Sequence, residues 1–145
     1  RQMCIRDSID MGENKMYLIT GGAYQGKSNY AVSVFKFENN SIVDGKTVNF
    51  EEINKYLCIK NFHILVRRMM KDGKTTEEIK IIVDSLNENT VIITDEIGNG
   101  IIPVDQFERD WREQTGRICC YIASQSRKVV RLTGGIPVII KDESK

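Results

Sequence analysis

The stretch 17-YLITGGAYQGKSNYA-31 decides the fold, because it joins an apolar run to a glycine-rich loop and then to an amphipathic segment. Its centre, GGAYQGKS, satisfies the pattern G-x-x-x-x-G-K-[ST], with Gly21, Gly26, Lys27 and Ser28 at the fixed positions. Glycines let backbone N–H groups turn towards phosphate oxygens, a helix N-terminus adds a favourable dipole, the lysine bridges the outer phosphates, and the serine can ligate Mg²⁺. In its strand–loop–helix context the pattern predicts a site for a nucleoside triphosphate. The alternative is a glycine-rich turn with a solvent-facing lysine.

The segments beyond this loop predict strands that alternate with helices. Short apolar runs predict the strands, which we expect at 16–20, at 41–48 as a strand or hairpin, at 90–98, and at 128–141 as one or two strands. Apolar residues at helical spacing predict helices at 27–37, from Asn49 onward, at 62–70, within 75–89 from a cap at Thr75 or Thr76, and at 105–126. This alternation predicts a single-domain α/β protein, with the mostly parallel sheet of a P-loop NTPase and helices on both faces.

Composition and charge exclude several classes of protein. Apolar residues make up 41% and charged residues 28% of the 145, which is ordinary globular usage and about one domain in length. Lys and Arg outnumber Asp and Glu by only 21 to 20, so no overall field favours a nucleic acid as partner. No apolar run reaches membrane-spanning length and no signal peptide is indicated, so we expect a cytoplasmic protein. Four cysteines without a CxxC spacing, and one histidine, favour free thiols over a zinc site.

The first eight residues, RQMCIRDS, resemble the translation of an adaptor used in sequencing libraries. We therefore expect 1–8 to be foreign to the natural protein, 9–15 to form an N-terminal tail, and 16–145 to form the nucleotide-binding, kinase-like domain. The natural start would then be Met11 or Met16. The alternative is a genuine N-terminal tail.

A triphosphate site also needs a carboxylate that holds the metal or orients the acceptor hydroxyl. Ligands of open α/β sheets bind beyond the carboxyl ends of the strands, and acids stand at two such ends. Asp95 and Glu96 close the run VIITDE, and Asp44 closes SIVD. We predict all three as candidate catalytic residues, with Asp44 and Ser28 as candidate metal ligands. The alternatives are a solvated strand end for the first two and a turn-forming Asp-Gly for Asp44.

Other reactive side chains carry weaker signals. The one histidine, His63, stands near the start of a helix without a cysteine or serine partner at a suggestive spacing, so we predict a surface or packed residue. Cys119 and Cys120 lie on the long helix, where we expect them to pack.

Three segments together resemble a known family. ITGGAYQGKSNYA at 19–31, TDEIGNGIIP at 94–103 and RDWREQTGRICCYIA at 109–123 are similar to the bifunctional adenosylcobinamide kinase / adenosylcobinamide-phosphate guanylyltransferase of cobalamin biosynthesis. The resemblance covers residues 16–32 and about 90–141, and DEIGNGIIP is its most specific element. It implies a P-loop protein that phosphorylates the aminopropanol hydroxyl of adenosylcobinamide with ATP or GTP and Mg²⁺. It also implies a second step, transfer of GMP from GTP to that phosphate through a guanylylated histidine, and a homo-oligomer such as a trimer.

The resemblance assigns functional positions in this chain. It places the family's acid on a core strand at Asp44, its acid-glycine element at 95–98, and its arginine-rich helix at 111–117, which makes Arg112 and Arg117 candidate phosphate ligands. Its phosphate loop maps onto eight consecutive residues, Gly21, Gly22, Ala23, Tyr24, Gln25, Gly26, Lys27 and Ser28.

The chain also departs from the family pattern. The family carries a strand and a His/Arg-rich helix, which bears the guanylylated histidine, between its first helix and its acidic strand. Here Phe37 leads almost directly to IVDG at 42–45, so the chain resembles a shortened member that lacks this segment. His63 follows Asp44 and does not take over the nucleophile's position. The lack of this segment argues against guanylyl transfer by the usual covalent route.

These observations leave hypotheses of different classes. The first is an adenosylcobinamide kinase that uses ATP or GTP. The alternative is a P-loop protein that binds nucleotide without transferring phosphate and serves a regulatory or accessory role for corrinoids. A third is a kinase for another small alcohol.

Overall fold

The computed structural model describes residues 16–22, 26–97 and 105–143. Within these ranges, six strands form one sheet: β1 Met16–Gly21, β2 Ile42–Asp44, β3 Cys58–Lys60, β4 Val91–Ile93, β5 Ser126–Thr133 and β6 Ile136–Asp142. The α-helices described there cover it: α1 Lys27–Phe35, α2 Phe62–Lys71, α3 Thr76–Asp84 and α4 Gln106–Gln125. Two short 3₁₀ helices, Asn39–Ser41 and Phe50–Lys55, precede β2 and β3. The predicted single-domain α/β architecture is confirmed.

The order of strands in the sheet is β2-β3-β4-β1-β5-β6. The first five strands run parallel and β6 pairs antiparallel with β5. Leu18 of β1 lies beside Ile92 of β4 on one side and Val129 of β5 on the other. Since β1 and β4 send their following connections to opposite sides of the sheet, a crevice is expected beyond their carboxyl ends.

Helices pack on both faces of the sheet, as predicted. On one face α1 packs over β1 and β4, where Ile19, Ala31 and Ile93 belong to one buried cluster. The other face carries a larger cluster formed by α2, α3, α4 and the alternate strand residues. Its fully buried members include Ile59, Phe62, Leu65, Val66, Met69, Ile79, Ile92, Ile118 and Ile122.

Two helix starts show how local sequence fixes these elements. Thr75 caps α3 with a capping box, in which its side chain accepts from the Glu78 N–H and Glu78 Oε1 accepts from the Thr75 N–H. This selects Thr75 over Thr76 as the cap. Asp105 caps α4 by accepting from the Glu108 N–H at 3.0 Å. In the described part of the chain, no helix is long and apolar enough to cross a membrane.

The region from β2 to β3 differs from its prediction. The segment from Asn49 forms a six-residue 3₁₀ helix, and β3, which the sequence pattern did not reveal, follows it. β3 pairs in parallel with both β2 and β4, so Asp44 ends the edge strand rather than a core strand, and its expected placement on a core strand was wrong. The cause is the length of β3, because three residues show no periodicity.

Candidate nucleotide-binding site

The phosphate-loop pattern occupies the turn from β1 into α1. Gly21 ends β1 at φ +147°, and a Cβ at this position would lie 2.5 Å from the backbone oxygen of Leu132, so only glycine fits beside β5. Gly26 precedes α1 at φ +82° and supplies no side-chain cap, which leaves the first turn of the helix suited to an anion. The loop positions Ala23, Tyr24 and Gln25 lie outside the described residues, and their assignment stays a prediction.

Lys27 is held at the mouth of this turn by two oxygen atoms. Its Nζ donates to the backbone oxygen of Gly22 at 2.7 Å and lies 2.7 Å from Asp95 Oδ1. Its side chain is only 7% exposed, whereas that of Asp95 is 25% exposed. The charge of the buried ammonium group is therefore compensated by Asp95.

Asp95 follows β4 and is held from the other side by His63. The Asp95 N–H donates to His63 Nδ1 at 3.2 Å, and His63 Nε2 lies 3.4 Å from Asp95 Oδ2. Because Nδ1 accepts a hydrogen bond, the proton of the neutral imidazole belongs on Nε2, where it faces the carboxylate. His63 thus contacts both the backbone and the carboxylate of Asp95. Of the two predicted placements, surface or packed, the structure shows the packed one, and sequence reasoning missed the contact of His63 with Asp95.

His63 is kept neutral by its surroundings. Burial lowers the pKa of His63; the charge of Asp95 raises it, while those of Lys27 and Lys46 lower it further, so the net pKa lies below the usual value. Trp111 of α4 donates from Nε1 to the backbone oxygen of His63 at 2.9 Å, and the two rings stack with centroids 6.4 Å apart. The long helix therefore fixes the ring that holds Asp95.

A cavity of about 390 Å³ opens beside these residues. It reaches from the first turn of α1 to the end of β3 and the start of α2. Its described lining is Gly26, Lys27, Ser28, Asn29, Lys46, Lys60, Asn61, His63, Ile64, Ile93 and Asp95. Three lysines face one carboxylate there, so the lining attracts anions. Ser28 and Asp95 both belong to this lining, so the cavity offers a hydroxyl and a carboxylate, which are oxygen ligands of the kind that Mg²⁺ prefers.

Asp44 is not part of this described lining, but it contacts two lining residues. Its Oδ1 accepts from the Lys46 N–H at 2.9 Å and from Asn61 Nδ2 at 3.0 Å. Burial raises the pKa of Asp44, but these hydrogen bonds and the charges of Lys60 and Lys46 outweigh it, so the net pKa lies below the usual value. Asp44 therefore joins the turn after β2 to the start of α2. Its predicted metal-binding and catalytic roles stay predictions.

The remaining candidate residues lie elsewhere. Glu96 accepts two hydrogen bonds from Arg131 of β5, at 2.8 and 2.9 Å, and faces a second, mostly apolar cavity of about 340 Å³ under α4. Arg117 is exposed and pairs with Glu113 one turn earlier on α4, at 2.8 Å. Neither Arg112 nor Arg117 belongs to the described lining of the cavity beside Lys27. Their phosphate-binding role stays a prediction.

Sequence reasoning missed Lys46, Lys60 and Asn61 as lining residues, as well as His63. Lys60 is the last residue of β3, Asn61 follows it directly, and His63 stands two positions after Asn61. The rule that ligands bind beyond the carboxyl ends of parallel strands would have selected these residues if β3 had been recognised.

A family model described as cobinamide kinase / cobinamide phosphate guanyltransferase matches residues 51–140, more than half of the chain. The chain belongs to this family. The resemblance seen in the sequence is thereby confirmed, and the membership indicates an enzyme of the kinase or nucleotidyltransferase type. The matched range includes His63, Asp95 and Trp111, whereas the glycine-rich loop precedes it. A search of curated proteins finds no match to this chain.

Proposed function

We propose that this protein is an adenosylcobinamide kinase, which transfers the terminal phosphate of ATP or GTP to the hydroxyl of the corrinoid side chain. One observation carries the proposal: Lys27 Nζ stands 2.7 Å from Asp95 Oδ1 at the crevice between β1 and β4. This observation supports the proposal because a lysine at the fixed position of the phosphate-loop pattern lies beside a carboxylate in a chain of the cobinamide kinase family.

Each residue takes a role that its position supports. Lys27 exchanges its contact with Asp95 for a contact with the nucleotide's outer phosphates, and the first turn of α1 binds these phosphates through backbone N–H groups. Asp95, released from Lys27 and still held by His63, orients the acceptor hydroxyl and accepts its proton. Mg²⁺ held by Ser28 and Asp95 would neutralise charge on the transferring group.

Lys27→Ala tests this assignment. Purified protein is incubated with adenosylcobinamide, Mg²⁺ and ATP or GTP labelled at the γ-phosphate, and label in the corrinoid is counted. We expect the wild type to transfer label and Lys27→Ala to lose at least about a hundredfold, since the lysine contacts the charge that develops in the transition state. The matched control is Lys55→Ala, an exposed lysine outside the cavity, which should retain wild-type transfer. Nucleotide binding without transfer by the wild type would support the non-catalytic alternative instead.

Guanylyl transfer is not part of the proposal. Residues 36–57, between α1 and β3, contain no histidine, and the chain's one histidine, His63, has its Nδ1 engaged by the Asp95 N–H. Incubation with GTP labelled at the α-phosphate should therefore leave no acid-labile label on the protein. Label that disappears in His63→Gln would establish a covalent step at this histidine and extend the function to both family activities.

A further inference from the structure

The cavity beside Lys27 contains two lysines that the proposed transfer step does not use, Lys46 and Lys60. They differ from Lys27 in their pairing. In the part of the chain that the structure describes, no carboxylate lies within 4.0 Å of either ammonium nitrogen, whereas Lys27 has Asp95. Within the described residues, both lysines therefore bring positive charge to the cavity without an ion pair closer than 4.0 Å.

The backbone that carries these two lysines is held by several contacts. The Gly45 N–H donates to the backbone oxygen of Lys60 at 2.7 Å, which ties the turn after β2 to the end of β3. Asp44 Oδ1 binds both the Lys46 N–H and Asn61 Nδ2. The two backbone segments that carry Lys46 and Lys60 are therefore hydrogen-bonded to one another.

The turn after β2 is also held by the side chain of Arg68 and by close packing at Gly45. Arg68 Nη1 donates to the backbone oxygens of Gly45 and Val48, each at 2.8 Å. Gly45 packs so closely that a Cβ there would lie 2.5 Å from the backbone oxygen of Asn61. The backbone that carries the two lysines is thus preorganised, which lowers the entropy cost of binding a ligand in this cavity.

We infer that Lys46 and Lys60, with the neighbouring Asn61, form a second phosphate subsite in this cavity. Among the described residues, Asp44 acts electrostatically on both lysines only from beyond ion-pair distance, so the two ammonium groups suit a doubly charged phosphate group and repel metal cations. The inference deepens the proposed function, on which it rests for the identity of the ligand. The phosphate is either that of the phosphorylated acceptor, which the proposed reaction produces, or the terminal phosphate of the nucleotide.

Equilibrium binding tests this subsite without requiring turnover. The double variant Lys46→Met/Lys60→Met removes both charges while keeping most of the side-chain volume. Lys46→Arg/Lys60→Arg keeps the charges, and Lys55→Met removes one exposed lysine outside the cavity. Two arms are measured by calorimetry: adenosylcobinamide phosphate added to protein with ADP, and ATP compared with ADP on protein alone. Circular dichroism confirms that each variant is folded.

We expect the methionine double variant to bind one of the two phosphate ligands at least about tenfold more weakly, because each charge-assisted contact contributes substantially to affinity. If only the affinity for adenosylcobinamide phosphate falls, the subsite binds the phosphate of the acceptor. If only the affinity for ATP relative to ADP falls, the subsite binds the terminal phosphate of the nucleotide. The arginine variant should recover most of the affinity, and Lys55→Met should match the wild type. Changes below twofold in both arms would overturn the inference.

The outcome is independent of whether the protein is a kinase. If the wild type transfers no phosphate to adenosylcobinamide, the proposed function fails, while a phosphate affinity that depends on Lys46 and Lys60 still supports the subsite. If transfer occurs and these two lysines change neither binding arm, the kinase proposal stands and the subsite does not.

Discussion

The two ends of the cavity beside Lys27 differ in how the positive charge of their lysines is balanced. At the α1 end, Lys27 is buried and its charge is balanced by Asp95, which His63 holds in turn. At the β3 end, Lys46 and Lys60 have no close ion pair among the described residues, and Asp44 holds the backbone around them. The difference shows that a carboxylate near a lysine can serve as a counter-charge or as a support for the chain. It also predicts different consequences when either carboxylate is removed.

The largest effect on stability is expected from Asp95→Ala. This change leaves the buried ammonium of Lys27 without its counter-charge, and we expect a loss of roughly 2–3 kcal/mol in the free energy of unfolding. Urea denaturation followed by circular dichroism measures it. Glu96→Ala provides the matched control, because its partner Arg131 is half exposed and the loss should be much smaller. Equal losses of stability in the two variants would show that the buried charge of Lys27 does not need Asp95 as its counter-charge.

An intermediate effect on the free energy of unfolding is expected when Asp44 is changed. Asp44→Ala removes the acceptor for the Lys46 N–H and Asn61 Nδ2 and should cost about 1 kcal/mol. Asp44→Asn keeps an oxygen acceptor at the same place, so a supporting role predicts near-normal stability and near-normal transfer. If Asp44 ligates the metal instead, Asp44→Asn will require much more Mg²⁺ for half-maximal transfer while its stability is unchanged. This pair of variants therefore tests the metal-binding role predicted from the sequence.

The smallest effect on stability is expected from the protonation of His63 as the pH falls. Its pKa is lowered in the folded protein, so below about pH 6.5 the unfolded state binds a proton more readily than the folded state. The stability contributed by neutral His63 is present above the unfolded pKa and is lost as the pH falls through the folded pKa. Urea denaturation between pH 7.5 and 5 should show this loss in the wild type, and His63→Gln should have a flatter profile. Parallel profiles would contradict the neutral, buried state of His63.

The sequence was sufficient for the parts of this molecule with a strong local signal. β1, the loop and α1 form one recognisable unit, and VIITDE placed Asp95 at a strand end, so the two residues that pair across the crevice were both candidates. The three-residue strand β3 had no such signal, because burial between β2 and β4 depends on long-range pairing. Lys60, Asn61 and His63 were missed for that reason. Asp44 looked like a strand-end acid, which it is, but only the topology shows that its strand forms the sheet edge.

Phosphoryl transfer to a corrinoid is measured by the mass of the corrinoid after incubation with Mg²⁺ and either ATP or GTP. We predict that adenosylcobinamide gains one phosphate group with the wild type and with Lys55→Ala, and gains none with Lys27→Ala. We further predict that no GMP is added when GTP is in excess. An unchanged corrinoid in the presence of protein that binds nucleotide would contradict the assignment of this chain as a kinase.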